Sequence, residues 1–204
     1  MFFFIKFLKL NLSGIKMKHF VFLYPIPEII DFEIENHGWS EEGGADAFKQ
    51  KYKSLLNRCI DVRYRQKGFD INYVIFDGSS VSDVIELRET DRIIKVGLDF
   101  KTHTTKHLYP DPDFILDQLG DVKIIRIAGF HLWDCVEKLA RRAYERELDT
   151  LVDEDLTELF ASRIKDPDFR IDKYPTYNPR KYGDSMFEIF MEARRNKPWL
   201  WQDY

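Results

Sequence analysis

Cysteine is scarce in this 204-residue chain: Cys59 and Cys135 are the only two. Two thiols make neither a disulfide framework nor a zinc constellation. Neither a CxxC nor an HExxH pattern occurs, and no Gly-rich GxGxxG turn appears among the ten glycines. A metal centre and a nucleotide cofactor are therefore not expected. Basic excess is also missing. A net charge of −4 argues against nucleic acid as a partner, because phosphate binding wants a cationic face. Long apolar runs are absent too. The most apolar segment, residues 1–16, is broken at Lys6 and Lys9, is too short to span a bilayer, and meets no A-x-A-like cleavage site. Met17 looks like a natural start, so residues 1–16 read as an upstream extension and the protein as cytoplasmic, with no membrane partner.

What is present is an ordinary globular balance, 44% hydrophobic and 32% charged, long enough for one domain with an ample core. The pattern alternates along the chain. His19–Tyr24 reads as a strand closed by Pro25 and Pro27, and Glu28–Gly44 as a loop. Ala45–Lys67 reads as a long helix with Phe48, Tyr52, Leu55, Leu56 and Cys59 on one stripe, which makes Cys59 a core residue. Strands are predicted at 71–76, 91–97, 122–128 and 150–152, with helices at 113–119, 135–147 and 156–164. Apolar strands alternating with amphipathic helices predict an α/β three-layer sandwich, a mostly parallel sheet covered on both faces. Residues 166–204, rich in Pro and aromatics with one amphipathic helix near 185–195, read as an arm packing on the domain or on a partner subunit.

Ligands of an open parallel sheet sit beyond the carboxyl ends of its strands. Tyr24, Asp77, the stretch around Phe100-Lys101, and Phe130 to Cys135 arrive there. Cys135 is the sharpest signal among them. It follows a buried strand and a short turn and opens a helix, where unpaired N–H groups and the helix dipole favour a thiolate. The competing reading is a small buried apolar residue. His103, His107 and His131 could gather around a metal, or could be solvated and core-edge residues. Trp39, Phe100, Tyr109 and Trp133 could flatten a pocket for a planar ligand, or could fill core.

Gly129-Phe-His-Leu-Trp-Asp-Cys135-Val136, with Ala140 and Ala143 after it and Asp155 ending the next strand, resembles the isochorismatase-like cysteine hydrolase family. The resemblance covers roughly 91–156 well and 17–90 by order of elements, making 17–165 the α/β domain. It implies that Cys135 attacks a carbonyl or imine carbon of a small-molecule substrate and that Lys101 supports the thiolate. It also implies a cis peptide at Phe130–His131, with backbone N–H groups near His131, Asp134 and Cys135 holding an oxyanion, and assembly as a homo-oligomer. The chain departs from the family where the first strand should end in a catalytic aspartate: Tyr24 stands there. Asp77 or Glu28 could substitute geometrically, or could be structural carboxylates. The glycine expected after the nucleophile's helix is replaced by Glu147.

Three readings follow. One is a divergent cysteine hydrolase of a small amide or a related C–N or vinyl-ether bond. Another is a catalytically silent member serving as a ligand-binding or assembly module. The last is an unrelated α/β protein in which Cys135 merely packs.

Overall fold

The computed structural model describes residues 17–37, 43–160, 169–173 and 183–200. The sequence-read extension at 1–16, Trp39, and the aromatic segments at 174–177 and 201 lie outside them. Five strands form one all-parallel sheet: β1 (Lys18–Leu23), β2 (Asp70–Asp77), β3 (Arg92–Asp99), β4 (Ile124–Gly129) and β5 (Asp149–Thr157). Their spatial order is β3-β2-β1-β4-β5. Among the described residues six helices connect and follow them: α1 (Pro27–His37), α2 (Gly44–Arg63), α3 (Phe100–Lys106), α4 (Pro112–Leu119), α5 (Glu137–Glu145) and α6 (Asp184–Arg194). Parallel crossovers are right-handed, so the two directions of winding from β1 put α2 on one face and α4 and α5 on the other. The packing agrees, since α1 touches α2 while α4 touches α5.

β1 explains why the sheet is a sandwich. Its residues Phe20, Val21, Phe22 and Leu23 are all fully buried, on both faces at once. A strand with no polar alternation needs a helical layer on each side. Phe20 stacks on Tyr64 at the end of α2, centroids 4.0 Å apart. Gly129 ends β4 at φ +116°, and any Cβ there would overlap the Leu23 backbone of β1. Close approach of two backbones at the sheet's carboxyl edge is the physical reason for glycine at that point.

Three expectations are corrected. Residues 27–37 form α1 and not a loop: Pro27 stands at the first helical position, where its missing N–H costs nothing. β5 runs on to Thr157 in place of a helix from Leu156. Its three consecutive acids mask the strand pattern, yet Asp153, Glu154 and Asp155 are all buried and charge-matched. Arg63 of α2 donates to both Asp153 oxygens at 3.1 Å and pairs with Asp155 at 3.2 Å. The Tyr64 hydroxyl donates to Asp153 at 2.6 Å, and Arg194 of α6 pairs with Glu154. Asp155 therefore lies inside the strand and is tied to Arg63, not at its end facing the thiol. The same Arg63 donates to the carbonyls of Arg170 and Ile171, and the Val152 N–H donates to the Trp199 carbonyl. The described parts of the C-terminal region are thus tied down, residues 170–171 to Arg63 and Trp199 and Arg194 to β5.

Candidate functional site

β1 is where the winding direction reverses, so the crevice between the carboxyl ends of β1 and β4 is the topological switch point of the sheet. A cavity of about 210 Å³ opens there. Tyr24, the residue after β1, and Phe130, His131, Asp134 and Cys135 of the turn after β4 supply its floor. α1 supplies one wall through Glu28, Ile29, Phe32 and Glu33, and α3 supplies the other through Phe100, His103 and Thr104. Residues 28/32 and 29/33 are helical i, i+4 pairs, and 100/103/104 are i, i+3, i+4, so each wall is one helix face.

Cys135 sits on a single π-helical turn, Leu132–Val136, ahead of α5. The Phe130–His131 peptide is cis. The thiol is only 8% exposed, and its pKa is pushed up to about 12, first by burial and then by the neighbouring Asp134 carboxylate. Two opposing influences are weaker, the charge of Lys138 and a hydrogen bond from Tyr24. Lys138 is itself engaged with Asp134, one helical turn before it. Its ammonium also stands 3.2 Å from the centroid of the Tyr109 ring.

Tyr24 is brought onto the thiol. It is buried, adopts φ +57°, and stacks on Phe76 at 4.4 Å. Burial and the contact with Cys135 hold its phenol well above the usual tyrosine range. The pair therefore rests as a phenol and a thiol, both neutral.

Lys101 is not brought to this place. It is exposed and absent from the cavity wall. The helix explains why, since position 101 lies about 100° around α3 from Phe100 and well off the 100/103/104 face. The cation whose charge reaches the sulfur is Lys138. Asp77 is also elsewhere: its carboxylate accepts the Gly97 N–H at 2.9 Å, beside the register shift between β2 and β3. Glu28 does line the cavity, and its carboxylate accepts from the Ser79 hydroxyl at 3.0 Å.

The turn after β4 is anchored by Glu158, which follows β5 at φ +58°. Its carboxylate accepts the Leu132 N–H at 2.7 Å and lies 2.9 Å from His131 Nδ1. That hydrogen bond raises the His131 pKa above the ordinary imidazole value. The Asp134 N–H is likewise committed, to the His131 carbonyl. Two of the backbone donors expected to hold an oxyanion thus already have acceptors. Glu158 was not singled out from sequence, although an acid one residue beyond a strand end was the available signal.

His103, read as a metal ligand or as a solvated or core-edge residue, has a more specific setting. Its Nδ1 lies 2.6 Å from the Leu108 carbonyl, which can only accept, so Nδ1 carries the proton. In the neutral ring Nε2 is then the basic nitrogen. The ring stacks on Phe76 and meets Tyr109 edge-on. His107 stands outside the cavity wall, and the described residues contain no cluster of His, Cys, Asp and Glu able to hold a metal. Tyr109 and Trp133 are about half exposed, each with a lysine over its ring. Cys59 is core, as its stripe predicts.

No protein-family model matches the chain, and no curated protein matches it in sequence. Solved structures do resemble it. An isochorismatase family protein is 17% identical, with 90% of this chain and 95% of that one covered, at a TM-score of 0.46. The N-carbamoylsarcosine amidase of Thermoplasma acidophilum is 18% identical over 70% of this chain and 84% of its own, at 0.45. A candidate Mar1 ribonuclease from Leishmania donovani is 14% identical over 70% of this chain, at 0.46, and this chain spans 65% of its length. The likeness is one of fold outline, and no residue's role follows from it.

Proposed function

We propose that this chain is a divergent isochorismatase-like protein that binds a small molecule at the β1/β4 crevice and keeps its thiol in the neutral form. One observation carries the reading. The thiol at the cavity floor is driven up in pKa by burial and by Asp134, and it faces a phenol where an ionised carboxylate would be needed. General acid–base assistance is typically worth about 10²–10⁴ in rate, and a thiol that stays protonated forfeits nucleophilicity as well. With Lys101 in solvent, the cavity retains the shape of a binding site without the charges that ready a nucleophile. Catalytic silence with ligand binding is what that combination supports.

Hydrolysis is the second reading, and His103 favours it. An imidazole whose Nδ1 is tied to a carbonyl offers a base at Nε2, in the wall of the cavity whose floor holds the thiol. A Cys–His arrangement is one known way to activate a cysteine. A panel of small amides and vinyl ethers, assayed with the wild-type chain and with Cys135→Ala, separates the two. The binding reading expects no turnover above background in either chain. Turnover by the wild type that vanishes in Cys135→Ala and falls in His103→Gln would replace it with a cysteine hydrolase.

A further inference from the structure

The cavity carries both signs of charge. Glu28 and Glu33 enter it from α1, while His131 brings a positive charge that Glu158 and Glu33 stabilise. Asp134 is engaged by Lys138. Net charge therefore selects little there, whereas hydrogen-bond direction is decided. The hydroxyl donors are spent inside the protein. The Thr104 hydroxyl is shared between the Phe100 and Lys101 carbonyls, each at 3.1 Å, and the Tyr24 phenol donates to Cys135. His103 is the reverse case. Its Nδ1–H goes to the Leu108 carbonyl, and Leu108 is not part of the wall. The two nitrogens of an imidazole point in nearly opposite directions, so Nε2 is aimed away from Leu108. No described residue donates to it, and the ring is only partly buried. Phe76 stacks on that ring with centroids 4.9 Å apart, and Phe100 and Tyr109 stand around it.

We propose that His103 Nε2 is the acceptor that orients the ligand, and that the crevice takes an uncharged planar ring carrying an N–H donor, of the indole or azole kind. This deepens the ligand-binding reading and rests on it. The lone pair on Nε2 is satisfied within the crevice only by a donor that the ligand brings. A ring that offers acceptors alone would set lone pair against lone pair at α3. A charged ring would gain at one side of the crevice and lose at the other. Tyr24, Phe100 and Phe130 line the space and offer faces and edges to a flat occupant. The volume, about 210 Å³, sits below the usual range of roughly 300–1,000 Å³ for drug-sized ligands, which limits the occupant to a small ring system.

Indole and benzofuran share a shape and differ in one group, an N–H against a ring oxygen, and N-methylindole blocks the same N–H. Titration of the full chain with each, by ligand-observed NMR, reads the preference directly. Indole is expected to bind about three- to tenfold more tightly than benzofuran, the worth of one hydrogen bond, with N-methylindole no tighter than benzofuran. The preference should vanish in His103→Phe, which keeps a ring against Phe76 and Tyr109 and removes both nitrogens. A second measurement needs no variant. Long-range proton–nitrogen correlation on isotopically labelled histidine should show the Nδ1–H tautomer at His103, with the Nε2 resonance shifted by indole and not by benzofuran. An Nε2–H tautomer, equal affinities, tighter benzofuran, absence of indole binding, or a preference that persists in His103→Phe would overturn the acceptor. Binding of benzofuran in those cases would leave the ligand site standing, so the two ideas fail separately.

Discussion

Two buried polar regions of this molecule handle burial in opposite ways. Beneath β5, charges are kept and matched: Arg63 against Asp153 and Asp155, with the Tyr64 hydroxyl donating to Asp153 as well. At the carboxyl ends of β1 and β4, burial is met by neutrality, with a phenol on a thiol. The first arrangement holds α2, β5 and residues 170–171 together. The second leaves a cavity with reactive-looking groups that carry no charge. The difference teaches that buried polar chemistry in a fold is not by itself a sign of catalysis; what matters is whether the charged form is stabilised.

Arg63→Met is the hardest blow to the matched region. It removes the buried guanidinium that pairs with both Asp153 and Asp155 and should cost about 3–5 kcal/mol in urea unfolding. A loss under about 1 kcal/mol would mean that water replaces the guanidinium and that the region is less dry than described. Tyr24→Phe sharpens the neutral region. Removing the one hydrogen bond that lowers the thiol's pKa should slow Cys135 alkylation at alkaline pH by about two- to tenfold, the worth of a single hydrogen bond. Faster alkylation would show that the phenol shields the sulfur and does not activate it.

Glu158→Gln tests the anchor of the turn after β4. The folded His131 pKa is raised, so its contribution to stability is full below the ordinary imidazole value and is lost as pH rises through the higher folded value. The variant should therefore lose more stability near pH 6 than near pH 9, with the His131 titration midpoint falling in an NMR experiment. Equal loss at both pH values would assign Glu158 to the Leu132 N–H alone. Glu147→Gly is the mildest change. Glu147 sits at φ +61°, and relieving it should stabilise the fold by about 0.5–1 kcal/mol in thermal unfolding.

The α/β sandwich was legible because its strands are solid apolar runs and its helices carry clean stripes. α1 was hidden by the two prolines before it, which read as loop markers although Pro27 begins a helix. The far half of β5 was hidden by Asp153-Glu-Asp155, since the arginines that neutralise those acids come from 90 and 40 residues away. At the site, adjacency along the chain was readable and direction was not. Cys135 and Tyr24 were placed together because each follows the carboxyl end of a strand and because of the family resemblance. Lys101 was misplaced because one residue around a helix turns a side chain by about 100°. The sign of the thiol's pKa shift follows the competing reading of a buried residue: position at a helix start was visible, whereas the carboxylate of Asp134 was not weighed.

The central claim is that Cys135 rests as a thiol. The pH–rate profile of its alkylation by iodoacetamide, followed by peptide mass mapping to separate it from Cys59, tests this most directly. Modification at pH 7.5 far slower than that of free cysteine, still climbing at the alkaline end of the folded range, is the predicted result. A plateau reached below about pH 8.5, the ordinary range of a cysteine, would contradict it and return the cavity to a cysteine nucleophile.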